Sequence, residues 1–241
     1  MISLRAEAIA VRSVLITSAS RGIGLEFVRQ YAAEGWRVLA ACRDPGAADA
    51  LQTIARVSNG RVETLEMDVS DPKSVRRAAE SAHDQSIDIL INSAGIMGKS
   101  GQRIGDLDYE SWAEVLDVNT MGPMRVTEAF IEHLQRGQRK LNLTITSGMG
   151  SIADNTSGGW IAYRTSKAAV NMLMRTLAVD LRGSGVICVL LNPGWVKTDM
   201  GGPNANITAE KSVSNMRRVI DKLTAADSGK FYNHDGREYP W

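Results

Sequence analysis

SVLITSASRGIGLEFVRQYAAEG, Ser13 to Gly35, begins as a strand and ends as a helix, with a glycine-bearing turn between them. SVLITS (Ser13–Ser18) is a short apolar, β-branched run, the pattern of a buried strand. IGLEFVRQYAAEG continues as a helix. In the turn TSASRGIG, Gly22 and Gly24 allow main chain to approach a pyrophosphate, whose charge the start of a helix stabilises. A plain βα connection would use the same glycines for geometry alone. The G-x-G-x-x-G fingerprint is absent, so the turn by itself leaves both readings open.

The same alternation runs outward along the chain. WRVLAAC (Trp36–Cys42), VETLEMDV, IDILINSAG, LNLTITS and GVICVLLNPG read as further strands. Asp44-Pro45 and Asp71-Pro72 each look like an N-cap followed by proline at the first helical position. Helices are expected from about Asp108 to Leu134, Ala162 to Leu181 and Thr208 to Lys222, with a last strand near Lys230–Tyr232. Near-continuously apolar strands between helices predict a single Rossmann-like α/β domain, a doubly wound parallel sheet with helices on both faces. Residues 1–12 read as an N-terminal extension and about 193–225 as a substrate lid around the glycine-rich GGPNAN.

The composition narrows the function classes. The 241 residues are 44% hydrophobic and 23% charged, with a formal net charge of +1, so charge gives no case for nucleic acid or an anionic membrane. No apolar run approaches the roughly 18 residues of a membrane span. Arg5, Glu7 and Arg12 interrupt any signal-peptide core. Cys42 and Cys188 fall in strand-like runs and read as reduced core thiols, which fits a cytoplasmic protein. His83, His133 and His234 lack metal-ligand spacing and read as satisfied surface residues, so no metal is expected.

Chemistry enters with YRTSK. Tyr163 and Lys167 are four residues apart, on one helix face, where an ammonium beside a phenol favours the phenolate. Such a pair can move a proton to or from a carbonyl/alcohol oxygen.

TSASRGIG resembles the TGxxxGIG turn of the short-chain dehydrogenases/reductases, and that family's other motifs follow in order over about Val14 to Trp241. Asp68-Val69 is similar to its adenine-contacting pair, and NSAG (Asn92–Gly95) to its NNAG. Asn119 in DVNT corresponds to its proton-relay asparagine and Ser147 to its substrate-orienting serine. NPGWVKTDM resembles its PG segment, placing Pro193, Gly194, Val196 and Thr198 along the nicotinamide. AYRTSKAAVN, PGWVKTDMGGPNA and DGREYPW resemble the C-factor-type and sniffer-like carbonyl reductases within the family.

The resemblance implies a catalytic set of Asn119, Ser147, Tyr163 and Lys167. It also implies a cofactor site using Thr17, Ser18, Ser20, Arg21, Gly22, Ile23, Gly24, Arg43, Asp68, Val69, Asn92, Ala94 and Gly95, besides Tyr163, Lys167 and the PG segment. Ser18 departs from the family's first glycine, and Ser93 from its second asparagine. Ser147 precedes Tyr163 by sixteen residues and Ser151 by twelve; Ser147 is preferred because it ends an apolar strand, with the polar turn Asp154–Gly159 absorbing the difference.

No acidic residue ends the second strand. Cys42 and Arg43 stand there and Arg21 lies in the turn, a pattern suited to a 2′-phosphate, so NADP(H) is expected over NAD(H). Ile96, Met97, Met149, Trp160 and Trp195 could wall an apolar carbonyl or alcohol site, or could equally pack the core. The resemblance further implies a homodimer or homotetramer. The alternative to an NADP(H)-dependent reductase is an NADP(H)-binding signalling or regulatory protein of C-factor type with little turnover.

Overall fold

The computed structural model describes residues 11–241, so residues 1–10 of the expected N-terminal extension lie outside the described residues. Seven parallel strands form one sheet: β1 (Ser13–Thr17), β2 (Arg37–Cys42), β3 (Val62–Glu66), β4 (Ile89–Asn92), β5 (Leu141–Ile145), β6 (Ile187–Asn192) and β9 (Phe231–Asn233). A separate two-stranded ladder pairs β7 (Val196–Lys197) with β8 (Ile207–Thr208). The helices are α1 (Gly22–Ala33), α2 (Asp49–Val57), α3 (Pro72–Ser81), α4 (Tyr109–Leu116), α5 (Gly122–Arg136), α6 (Ile161–Asp180) and α7 (Ala209–Ile220).

The main sheet runs in the order β3-β2-β1-β4-β5-β6-β9. β1 pairs with β2 on one side and β4 on the other, so the winding reverses between β1 and β4. That reversal opens a crevice at the carboxyl ends of the strands.

Alternation within the strands divides the core. Val14 and Ile16 join Phe27, Tyr31, Leu51, Met216 and Ile220 under α1, α2 and α7. Leu15 and Leu90 face Val75, Ala78, Val126, Phe130 and Leu134 of α3 and α5 on the opposite side. Val170 and Met174 of α6 pack with Cys188 and Leu190. Strands buried on both faces explain why β1 and β4 read as near-continuously apolar, while β5 buries Asn142 and Thr144 as well as its apolar residues. Each fully buried Leu, Ile or Phe contributes about 1.5–3 kcal/mol. Cys42 and Cys188 are free and buried, as their strand setting predicts.

Three local expectations are corrected. Asp71 does cap α3, accepting from the Lys73 amide at 2.8 Å with Pro72 following. Asp44 instead caps a short turn, accepting from the Ala47 amide at 3.0 Å, and α2 starts only at Asp49 with no side-chain cap. The stretch from Asp108 to Leu134 is not one uninterrupted α-helix: a π-helical turn, Asp117–Met121, separates α4 from α5 and holds Asn119. Single π-turns recur at functional sites because the extra residue re-aims side chains. His133 is not a surface residue; it is buried on α5 beside Phe130, and burial lowers its pKa. No helix among the described residues is long and apolar enough to cross a membrane.

Candidate active site

The crevice at the strand ends is a cleft of about 640 Å³. Its floor begins at β1, which runs into the turn Ser18–Arg21. Ser18 adopts φ +56°, the left-handed region that disfavours a serine. Gly22 shares that conformation, which glycine adopts without strain, and it lies against the Thr198 methyl group. A Cβ on Gly24 would overlap the Ser18 carbonyl oxygen, so helix and turn approach each other only through glycine. α1 begins without a side-chain cap. Its first amides therefore have no partner from its own cap residue, which makes the helix start a ready anion site.

Thr17 lies beneath this turn, its hydroxyl accepting from the Ser93 and Ala94 amides at 2.9 and 3.1 Å. It fastens the end of β1 to the end of β4. Asn92 is buried and donates to Asn142 at 3.3 Å, which puts it and Ala94 behind the cleft wall. Gly95 does line the cleft, and a Cβ there would come 3.4 Å from Asn119 Oδ1 and 3.5 Å from Lys167 Nζ.

Asn119 is buried. Its side chain accepts from the Ile96 amide and donates to the Ile96 carbonyl, each at 2.8 Å, and donates to Ser166 Oγ at 3.0 Å. Ile96 is thus held through its main chain and stays outside the cleft lining.

β5 delivers Ser147, whose hydroxyl accepts from the Met149 amide at 3.1 Å and hydrogen-bonds Tyr163. Ser151, the rival by count, is buried and donates to the main-chain oxygen of Trp241 at 3.0 Å. α6 brings Tyr163 and Lys167 to the same wall, the ammonium 5.7 Å from the ring centroid and donating to the Ile145 carbonyl at 3.1 Å.

The electrostatics of this pair differ from the sequence expectation. Burial pushes the Tyr163 phenol up to about 12, opposed only by its hydrogen bond with Ser147. Burial draws Lys167 down to about 8. The lysine does not bring the phenol toward neutrality here, because its ammonium bonds a carbonyl and desolvation dominates both groups.

Of the remaining predicted residues, Arg21, Ile23, Pro193, Gly194, Val196 and Thr198 line the cleft, as do Met97, Met149 and Trp195. Ser20, Arg43, Asp68 and Val69 lie outside that lining, and so does Trp160, which starts α6 in the left-handed region, exposed. Asp68 is partly desolvated, yet two hydrogen bonds from Ser70 and the charge of Arg43 hold its carboxyl below the usual range. Arg43 is therefore close enough to Asp68 to share one electrostatic setting. Arg21 pairs with Asp199 at 3.3 Å, joining the glycine turn to the loop between β7 and β8.

Sequence reasoning missed Asp154, Ser157, Arg164, Asn192, Met200 and Tyr239, all of which line the cleft. Asn192 ends β6 and accepts from the Gly148 amide at 3.0 Å and the Gly194 amide at 3.3 Å, tying the serine turn to the PG segment.

The short chain dehydrogenase family model matches residues 12–208. The fold is similar to the NADPH-bound carbonyl reductase from chicken fatty liver, with a TM-score of 0.89 and 36% identity, covering 96% of this chain and 99% of that one. It is similar too to the carbonyl reductase Sniffer of D. melanogaster, with a TM-score of 0.87 and 32% identity over 96% of this chain and 100% of that one. In sequence the chain is 48% identical over 155 residues to the C-signal of Myxococcus xanthus, covering 64% of this chain and 93% of that protein. It is 36% identical to the 1-hydroxy-2-glutathionyl-2-methyl-3-butene dehydrogenase of Rhodococcus sp. strain AD45, over 95% of this chain and 99% of the relative. With a matching family model over most of its length and relatives aligned almost end to end, the chain belongs to the short chain dehydrogenase family.

Proposed function

We propose that the protein is an NADP(H)-dependent carbonyl reductase in which Tyr163 is the acid–base group. The observation that carries this reading is that Ser147, Tyr163 and Lys167 share the cleft into which the uncapped start of α1 opens.

The cleft residues fit the dinucleotide. The free helix start and the left-handed turn of Ser18 and Gly22 suit its pyrophosphate, with Ser20, Ile23 and Gly24 completing the cradle. Asp68, Val69 and Arg43 would hold the adenosine end, and Gly95, Pro193, Gly194, Val196 and Thr198 the nicotinamide end. Preference for the 2′-phosphate rests on Arg43 and Arg21, with Cys42 rather than an acidic residue at the end of β2. When bound, the nicotinamide supplies the hydride that a carbonyl carbon needs.

The chain's own groups do the rest. Ser147 sits beside the Tyr163 phenol, and its hydroxyl proton would turn from the phenol to hold a substrate oxygen. Tyr163 keeps its proton at neutral pH and hands it to that oxygen as negative charge develops. Lys167 stabilises the phenolate left behind, while Asn119 clamps the Ile96 main chain beside Gly95. Met97, Met149 and Trp195 give the substrate an apolar wall. The segment 193–225 acts as the lid, and self-association as a homodimer or homotetramer of a cytoplasmic enzyme completes the proposal.

The likeness to the C-signal supports a second reading, an NADP(H)-binding regulatory protein with little turnover. NADPH oxidation against aldehydes, ketones and quinones separates the two. Turnover that disappears in Tyr163→Phe supports the reductase; tight NADPH binding without turnover supports the regulator. Full activity in the Phe variant would remove Tyr163 from the mechanism.

A further inference from the structure

Beyond the Tyr163 wall, the cleft is bounded by the loop after β5 and by Tyr239. Two charged side chains line it there, Asp154 and Arg164. They are not equally free. Arg164 donates through Nε to the Gly158 and Gly159 carbonyls at 3.2 and 3.1 Å, through Nη2 to Ser157 Oγ at 2.8 Å and through Nη1 to the Met149 carbonyl at 3.4 Å. The guanidinium's donors are engaged in holding its own loop, which fixes its position.

Asp154 is exposed. One carboxylate oxygen accepts from the Tyr239 hydroxyl at 2.7 Å, and the other has no hydrogen-bond partner among the described residues. The only other cations on the lining are Lys167, which donates to Ile145, and Arg21, which pairs with Asp199 in the cofactor half.

We infer that Asp154, oriented by Tyr239, forms a charge-reading subsite that selects carbonyl compounds bearing an ammonium or another hydrogen-bond donor remote from the carbonyl and rejects carboxylates. The substrate class rests on the reductase reading above; the charge preference rests on the subsite itself.

The subsite is rigidly built. The Tyr239 amide donates to the Phe231 carbonyl at 2.7 Å, and the two rings lie 5.0 Å apart. Its hydroxyl sits beside Gly148, 2.5 Å from where a Cβ would be, so the tyrosine reaches Asp154 only because residue 148 is glycine. Burial, then the Asp154 carboxylate, push the phenol up to about 12, so it remains a donor across the physiological range. The loop is pinned from the other side: Ser151 Oγ and the Ala153 amide both donate to the main-chain oxygen of Trp241, at 3.0 and 2.7 Å. Ser151 Oγ in turn accepts from the Asp154 amide at 3.0 Å. A carboxylate with one oxygen held this way has less side-chain freedom to lose on meeting a cation. Met97, Met149, Met200 and Trp195 supply the apolar surface for the body of such a substrate.

The test uses four aryl ketones identical except for a remote ammonium, hydroxymethyl, methyl or carboxylate group. The wild-type protein should rank them in that order by kcat/KM, with an ammonium-to-carboxylate ratio of about 10-fold. Asp154→Asn should collapse the ratio to within about threefold. Tyr239→Phe, which keeps the ring and removes the hydroxyl, should lower it part-way through KM rather than kcat. NADPH affinity, read by fluorescence, should hold in both variants and shows that they are folded. Calorimetric binding of the corresponding alcohols should give the same order without turnover. A wild-type ratio near one, or a ratio unchanged in Asp154→Asn, overturns the subsite. No turnover of any ketone with the charge order intact in binding supports the subsite and overturns the reductase reading instead.

Discussion

The turn Thr17–Gly24 and the segment Ser147–Lys167 meet in one cleft, yet they are specified by opposite means. The turn works through main chain: left-handed Ser18 and Gly22, a close approach at Gly24 and an uncapped helix start. The segment works through side chains: a serine, a phenol and an ammonium projected from a strand end and a helix. Substitution in the turn should alter the path of the chain, and with it both folding and cofactor affinity. Substitution in the segment should alter chemistry and leave the fold standing.

Tyr163→Phe carries the largest expected effect. Loss of the acid–base hydroxyl should lower kcat/KM about 10²–10⁴-fold, while thermal unfolding and NADPH titration stay close to wild type. A variant that melts early and binds NADPH poorly would mean that this segment too is structural, and the contrast would fail. Gly24→Ala tests the other side. The added methyl group meets main chain rather than a flexible side chain, so relief requires moving the turn. A cost of about 1–3 kcal/mol in denaturant unfolding should come with weakened NADPH binding. Normal stability and affinity together would show that the close approach is dispensable.

The same contrast explains what could be read from sequence. Gly22, Gly24 and the apolar strands announce backbone geometry directly, because few other residues permit it. Tyr163 and Lys167 share a helix face at fixed spacing and were equally legible. The cap at Asp44 misleads because its carboxylate serves a turn and α2 starts later. The π-turn at Asn119 leaves no mark in hydrophobic periodicity, since α4 and α5 keep their buried faces on either side of it. Tyr239 is illegible for another reason: its partner Asp154 is 85 positions away and meets it only once β9 has docked on β6. Trp160 reads as substrate wall by composition but is exposed at the start of α6, outside the cleft lining.

A pH titration sharpens the side-chain half. Burial places Lys167 at about 8 and Tyr163 at about 12, so of the two the lysine titrates first. kcat/KM for NADPH, which reports groups of the free enzyme, should be level below about pH 8 and fall above it. Lys167→Arg keeps its charge at every accessible pH and should lose that limb. A limb that persists in the Arg variant would belong to another group. Folding is linked through the same site. The folded lysine releases its proton near 8 and the unfolded one near 10.5, so in that window the unfolded chain holds more protons and stability rises with pH.

The smallest expected effect lies back in the turn, at Ser18. An L-residue held at φ +56° costs about 1–2 kcal/mol there. Glycine would remove that strain but add about 0.5–1 kcal/mol of unfolded-chain entropy. The Ser18 side chain makes no hydrogen bond among the described residues, so nothing else is lost. Ser18→Gly should therefore raise stability by about 1 kcal/mol or less, read from a denaturant midpoint at constant slope. NADPH affinity should stay within about twofold, because serine already holds the turn in its working shape. A much larger gain in affinity would mean that the serine turn must move when the cofactor binds. Backbone geometry would then be induced rather than preformed, and the contrast between the two regions would narrow to one of timing.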